Sequence, residues 1–426
     1  MDRLSAPAGS EGRGAAVPAA AFAVVAAGVS AALHLGKLSP AVPALREALG
    51  ISLVQAGFLL SLVQVAGMTL GLLVGLMADT LGLRRSMLIG LAIVTLAGGG
   101  GALVEPGPHA LALLLALRAL EGLGFLLAVM PGPGLIRSLA PAGSDKAALG
   151  LWGAYMPLGV ALALLAGPPF IAGSGWPAWW WLMSAFSAAA AVWVAFAVPA
   201  DAQRQGSTVA ALAWRGRLLQ TLIAPGPRTL ALAFAVYSAQ WMAVIGFLPA
   251  IYADAGITAA WTGVLSSAAA AANIVGNLAG GRLLQAGVAP ERLLRWGFGA
   301  MLLGSLGAFV QWGHGAQAWA LPAGLRYACV CLFSLGGGMV PATLFMLAVR
   351  LAPSPVTVST TVGLMQQASS LGQFFAPPAV AWIAHRAGGW QWTWVATLAC
   401  SMVGMLAARR LASLHHPAND GSSSTP

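Results

Sequence analysis

Two oppositely charged residues, Arg118 and Glu121, stand three apart inside an otherwise apolar stretch, in Arg118-Ala-Leu-Glu121-Gly122-Leu-Gly124. That spacing puts both on one helical face. An ion in hydrocarbon is costly, so such residues pair with each other or face a cavity. Two readings follow. The pair neutralises itself locally, or Glu121 takes up and releases a proton while Arg118 tunes it or meets an anionic solute. Glu121 is the acid that falls deepest within an apolar stretch, so a proton coupled through a side chain is expected there. Lys37, three residues after His34 and shortly before Pro40 and Pro43, either adds a second cation near the solute or snorkels to the outer interface.

Neutral polar and aromatic residues complete a candidate small-molecule site: Trp152 and Tyr155, Tyr237, Gln240 and Trp241, Asn273 and Asn277, and Gln366 and Gln367. Tyr237 with Trp241, and Asn273 with Asn277, share a helical face. The scattered histidines and the cysteines Cys329, Cys331 and Cys400 form no metal-ligand or disulfide pattern. No cofactor or metal is expected. With no Gly-x-x-x-x-Gly-Lys-(Ser/Thr) fingerprint, an ATP-driven pump would need another subunit.

A polar interruption, Gly75-Leu-Met-Ala-Asp79-Thr-Leu-Gly82-Leu-Arg84-Arg85, separates two apolar stretches. Gly75 permits close helix packing and Gly82 a tight turn. Asp79 is placed to meet the positive N-terminal end of another helix. Its expected partner is the start of a later helix, where Ser354-Pro355 reads as an N-cap and first-turn proline, or Arg137 at the foot of the fourth apolar stretch.

The elements that hold these residues follow from composition. The chain is 59% apolar and 8% charged, with mean hydropathy +0.82, whereas soluble domains carry about 25% charge. A helical span needs roughly 20 apolar residues, and such stretches fall near 17–37, 52–78, 86–104, 109–134, 147–172, 177–198, 228–251, 259–284, 293–313, 319–349, 357–384 and 390–412. Their continuous apolar runs lack the alternation of barrel strands. The fold expected is all-α and integral to the membrane, with twelve transmembrane helices in two pseudo-symmetric six-helix bundles at 17–198 and 228–412. A cytoplasmic tail (1–16), a central cytoplasmic loop (199–227, with 218–223 as an amphipathic piece) and a disordered tail (413–426) complete the chain.

With the N-terminus inside, Lys37, Arg46, Arg326 and Arg386 fall outside, Arg118 falls within a span, and every other Lys and Arg lies on the cytoplasmic side. Both termini are thus read as cytoplasmic. The net charge of +10 is this bias plus attraction to anionic lipid headgroups, not a nucleic-acid surface. The segment 15–35 reads as an uncleaved first span rather than a signal peptide.

The halves repeat. Gly71, Gly75 and Gly82 return at a common offset as Gly276, Gly280 and Gly287, but Leu284 stands where the repeat places Asp79. Arg137-Ser-Leu-Ala-Pro141 echoes Arg350-Leu-Ala-Pro353, Gly150-Leu with Gly159 echoes Gly363-Leu with Gly372, and Gly175-Trp176 with Trp180 returns as Gly389-Trp390 with Trp394. Gly75, Asp79, Gly82 and Arg84, with Arg85 after them, match the Gly-x-x-x-Asp-(Arg/Lys)-x-Gly-(Arg/Lys)-(Arg/Lys) signature of the major facilitator superfamily, which the chain resembles over nearly its whole length. Thr80 and Leu83 depart from it. The resemblance implies that Gly75, Asp79, Gly82, Arg84, Arg85 and Arg137 form a cytoplasmic gate, and that Arg118 and Glu121 stand for the family's span-four pattern.

Span five, Gly150-Leu-Trp-Gly153-Ala-Tyr-Met-Pro157-Leu-Gly159, lacks the Gly-Pro-x-x-Gly-Gly pattern of the antiporter branches. Together with Lys37-Leu-Ser-Pro40-Ala-Val-Pro43 it loosely resembles the bacterial branch of cyanate and nitroimidazole permeases, which implies a small anion or polar heterocycle. The expected protein is a monomeric secondary transporter of the inner membrane. It moves a small polar or anionic solute by alternating access, coupled to protons through the cluster on span four. The alternative is an efflux pump of the same fold. A membrane-embedded enzyme would need a cluster of acids or histidines that the sequence lacks, and a non-transporting sensor would have no signalling domain here.

Overall fold

The computed structural model describes residues 19–71, 82–139, 152, 155–201, 214–311, 313, 319–354 and 357–415. Among these the chain is helical with no strand ladder. Nine segments are long and apolar enough to cross a membrane. One of them, Tyr155–Ala197, is two helices joined at Gly175, whose backbone (φ 80°, ψ 162°) is not helical. With Pro290–Phe309 and Val358–Ala387 the described helices make twelve crossings.

Span one comprises Ala19–Gly36 and Leu38–Leu49, so it continues past the 17–37 expected for it and past both prolines. The helix restarts after Lys37, which puts Pro40 in a first turn, where a missing N–H costs little. Gly50, left-handed at φ 64°, ends it. Span two starts with a capping box. The Ser52 hydroxyl accepts the Gln55 N–H at 3.2 Å, and the Gln55 side chain accepts the Ser52 N–H at 2.7 Å. It runs Leu53–Ser61, passes through a 3-10 turn at Leu62–Gln64 and continues to Gly71.

Spans three, Leu83–Ala102, and four, Ala110–Val129, cross through glycines: a Cβ on Gly90 would lie 2.6 Å from the Gly124 carbonyl oxygen. Spans nine, Pro290–Phe309, and ten, Ala323–Leu351, repeat this through Gly297 and Gly336. The duplicated loop glycines also share a conformation that favours glycine. Gly82 and Gly287 have φ 91° and 85°, and Gly175 and Gly389 have φ 80° and 153°. The halves meet where span two packs on span eleven, Val358–Ala387, where span five packs on span eight, Ala259–Gln285, and where Leu38–Leu49 packs on span seven, Pro225–Asp254.

The expected start of span eleven at Ser354-Pro355 falls partly on residues 355–356, outside the described residues; Ser354 itself donates its N–H to the Thr357 hydroxyl at 2.9 Å, and that hydroxyl donates to the Ser354 carbonyl at 2.8 Å. Two expectations change. The amphipathic piece of the central loop is longer than 218–223 and forms Trp214–Ile223. The last helix, Thr393–His415, extends beyond 412 into the segment expected as tail.

Candidate functional site

Span one is interrupted at Lys37, and the carbonyls around the interruption are taken up by side chains. Trp179 Nε1 donates to the Lys37 carbonyl at 3.0 Å, and Arg118 donates to those of His34 (2.6 Å, Nη1) and Leu35 (3.2 Å, Nη2). Arg118 Nε donates to the Leu59 carbonyl at 3.1 Å, just before the 3-10 turn of span two. That turn shifts the ladder to three-residue bonds, as between the Val65 N–H and the Leu62 carbonyl. Gly122 makes the approach possible, since a Cβ there would lie 2.8 Å from the Val63 carbonyl carbon. The guanidinium therefore ties spans one and two to span four.

Its fourth bond goes to Glu121, Nη1 to Oε2 at 2.7 Å. The other carboxylate oxygen, Oε1, is ion-paired with Lys37 Nζ and lies 3.4 Å from His34 Nδ1. Lys37 Nζ is also 3.2 Å from His34 Nδ1 and 4.8 Å above the Trp180 ring, a cation–π arrangement. On its far side, His34 Nε2 meets the Met183 carbonyl at 3.1 Å and Ser187 Oγ at 3.2 Å, and Ser187 is 2.9 Å from Thr95. Lys37, His34, Arg118 and Glu121 are each at most 2% exposed. The cluster thus holds a guanidinium, an amine and one carboxylate away from water. A cavity of about 10 Å³, lined in part by Arg118, Glu121, Leu114 and Trp180, adjoins it and has room for roughly one water.

The Arg118/Glu121 contact is real but not self-contained, because Lys37 completes it. The snorkelling alternative for Lys37 fails: the side chain is wholly buried, since the helix continues for twelve residues beyond it. Sequence reasoning missed His34 as a member of the cluster. It also missed the run Gly98–Gly101 of span three, where a Cβ on Gly98 would lie 2.7 Å from His34 Cε1 and one on Gly101 2.7 Å from Trp180 Cδ1. The available signal was the run of four successive glycines itself, of which Gly98 meets the His34 ring and Gly101 the Trp180 ring.

The second-half candidates form a different group. Asn273 Nδ2 donates to Tyr237 Oη at 3.2 Å and to the Ser334 carbonyl at 3.0 Å, and Trp241 Nε1 donates to Ser334 Oγ at 3.2 Å, so spans seven, eight and ten are joined. Gln240 points elsewhere, its carbonyl accepting the Ser401 hydroxyl of span twelve at 3.0 Å. Tyr155 packs against Trp152, ring centroids 4.5 Å apart and tilted by 30°, within the apolar core of the first half, not with the ion cluster. Gln366 is exposed, and its neighbour Gln367 reaches across the halves to the Met68 carbonyl at 2.7 Å. Beside it Gln64 Nε2 donates to Gln373 Oε1 at 3.0 Å, a pairing the sequence did not signal.

Of the gate residues, Gly75, Asp79 and the side chain of Arg137 lie outside the described residues. Gly82 precedes span three, and the backbone N–H groups of Arg84 and Arg85 donate to Asp201 at 3.0 Å each. In the sequence Asp201 stands out only as a charge of the central loop. Arg84 Nη2 donates to the Ala195 carbonyl at 2.6 Å. Among the described residues no three His, Cys, Asp or Glu side chains converge to hold a metal ion.

Residues 20–361 match the family described as Major Facilitator Superfamily. No curated protein sequence matches significantly. The fold is similar to that of a bacterial homolog to human lysosomal transporter Spinster in an inward-facing, unoccupied conformation, at TM-score 0.70 and 14% identity over 94% of this chain and 99% of that one. It is also similar to that of a D-xylose-proton symporter, at TM-score 0.72 and 18% identity over 92% and 96%.

Proposed function

The chain belongs to the Major Facilitator Superfamily, and on that premise we propose that it carries a small polar or anionic organic solute across a bacterial inner membrane, with protons coupled through the Lys37–Glu121–Arg118 cluster. It is a multi-pass membrane transporter working by alternating access, not an enzyme. The observation that carries the finer reading is the charge count of the buried cluster. Two cations face one carboxylate, and a buried charge needs a partner. Arg118 spends four of its five N–H donors on three carbonyls and Glu121, so it acts as the fixed clamp. Lys37, held by side chains alone, is the cation free to change partner, and an anionic group entering the site pairs with it.

The likeness to a D-xylose-proton symporter is consistent with proton coupling, and the loose resemblance to cyanate and nitroimidazole permeases favours a small anion or heterocycle. In this reading residues 17–198 and 228–412 rock as two bodies in a monomer, with both termini cytoplasmic. Tyr237, Trp241 and Asn273 line the opposite side of the path. Gly75, Asp79, Gly82, Arg84, Arg85 and Arg137 close its cytoplasmic end.

The test is uptake into proteoliposomes under an imposed pH gradient, with a panel of labelled organic monoanions, heterocycles, amines and sugars. Wild-type protein accumulates a member of the anion or heterocycle set, and Glu121→Gln loses the gradient-driven accumulation. Undiminished accumulation by Glu121→Gln would overturn the coupling role.

A further inference from the structure

His34 is a buried titratable group that the coupling reading does not use, and its surroundings define its hydrogens. The Met183 carbonyl, 3.1 Å from Nε2, can only accept, so Nε2 carries a hydrogen and the neutral ring keeps its lone pair on Nδ1. Lys37 Nζ, 3.2 Å away, donates to that lone pair. Glu121 Oε1 faces the same nitrogen at 3.4 Å. These two acceptors are held together because Lys37 donates to both. The ring packs edge-on against Gly98, where a Cβ would lie 2.7 Å from Cε1.

When Lys37 is drawn onto an anionic solute, Oε1 and Nδ1 are left facing each other with no hydrogen between them, a costly arrangement in a buried site. We propose that the coupling proton binds at His34 Nδ1, where it takes the place of the Lys37 ammonium as the partner of Glu121. The imidazolium N–H then donates to Oε1. Arg118 remains bonded to Oε2 and to the carbonyls of His34, Leu35 and Leu59, so the carboxylate stays in a cation's grip and the proton rests on nitrogen. Lys37 and the proton exchange one for one, and the cluster keeps its charge.

The proton comes from water admitted by the open site and departs when Lys37 returns. The groups facing the ring from span six are Met183, Ser184 and Ser187, and from span three Gly98, with Thr95 behind Ser187. None of these ionises. Lys37, Arg118 and Glu121 therefore govern the exchange.

The proposal rests on the cluster being the coupling site, and its test needs neither solute nor gradient. Full-length protein carrying 15N-histidine is observed by NMR in lipid nanodiscs, with the His34 signals assigned by their loss in His34→Gln. In the wild type at pH 7 the signals are those of a neutral ring protonated on Nε2. In Lys37→Gln, and in Lys37→Met as a second variant, both nitrogens carry hydrogen under conditions in which the wild-type ring is still neutral. A wild-type ring protonated on Nδ1 overturns the proposal, and so does a Lys37 variant whose ring stays neutral wherever the wild type does. If Glu121→Gln abolishes gradient-driven flux while the ring of the Lys37 variants stays neutral, the coupling site stands and the placement of its proton on His34 falls. The opposite pair of results leaves the Lys37/His34 exchange standing and removes its transport role.

Discussion

The carboxylate of Asp201 lies against Gly82, close enough that a Cβ on the glycine would come within 2.5 Å of its carboxyl carbon. From there it accepts the N–H groups of Arg84 and Arg85. Asp201, four residues past the end of span six, thus serves as the N-terminal cap of span three, a position where an anion also complements the helix dipole. Asp201→Ala should cost about 1 kcal/mol, seen as a lower melting temperature in detergent. Asp201→Asn should keep most of the stability, and equal melting of wild type and Asp201→Ala would remove the capping role.

Two loop glycines separate backbone strain from collision. A Cβ on Gly50 (φ 64°) would meet nothing within 4 Å, whereas one on Gly82 (φ 91°) would meet Asp201. Gly50→Ala should cost roughly 1–2 kcal/mol from the left-handed backbone alone, and Gly82→Ala more. The excess at Gly82 should shrink in an Asp201→Ala background, because neighbouring changes do not add. Additive melting shifts in the double variant would contradict the contact.

Arg118→Lys is not a conservative change. The planar fork reaches three carbonyls on spans one and two as well as Glu121, and an ammonium cannot reproduce that geometry. Leaving a buried cluster partly unpaired costs about 3–5 kcal/mol. Heating solubilised protein and following its size-exclusion peak should show Arg118→Lys failing at far lower temperature than Arg85→Lys, and similar profiles would refute the clamp.

The spans are legible in the sequence because each is a long apolar run, and Arg118 with Glu121 because their contact is local. Pro40 misleads about the end of span one, since proline marks a helix's end and its first turn alike. Lys37 and His34 cannot be assigned to Glu121 from sequence: the chain returns to them only through span four, and three apart on their own helix they read as an interface pair. At Gln366 and Gln367 the hydropathy pattern is the same for both, and a one-residue rotation of span eleven decides which amide faces span two. Asp201 is obscured by the opposite circumstance, a loop charge whose partner is backbone and leaves no pattern.

The span two–span eleven interface supplies a last prediction. Gln64 and Gln373, 4% and 6% exposed, pair across the halves, and Gln373 Nε2 donates in turn to Ser369 Oγ at 3.0 Å. Any rocking that parts these spans must break the amide pair and find new partners for it. Gln373→Leu leaves the Gln64 amide buried without its acceptor, at about 1–3 kcal/mol, which favours conformations that admit water between the spans. Replacing both by Leu removes the orphaned group and should recover the closed population. Spin labels at the exposed positions Leu70 and Leu371 should therefore report longer distances in Gln373→Leu than in wild type, with the Gln64→Leu/Gln373→Leu protein returning toward the wild-type distribution. Identical distributions in all three would mean that the amide pair only fills space, and that separation of the halves is governed by the close approaches of Gly57 to Pro378 and Gly67 to Ser370 beside it.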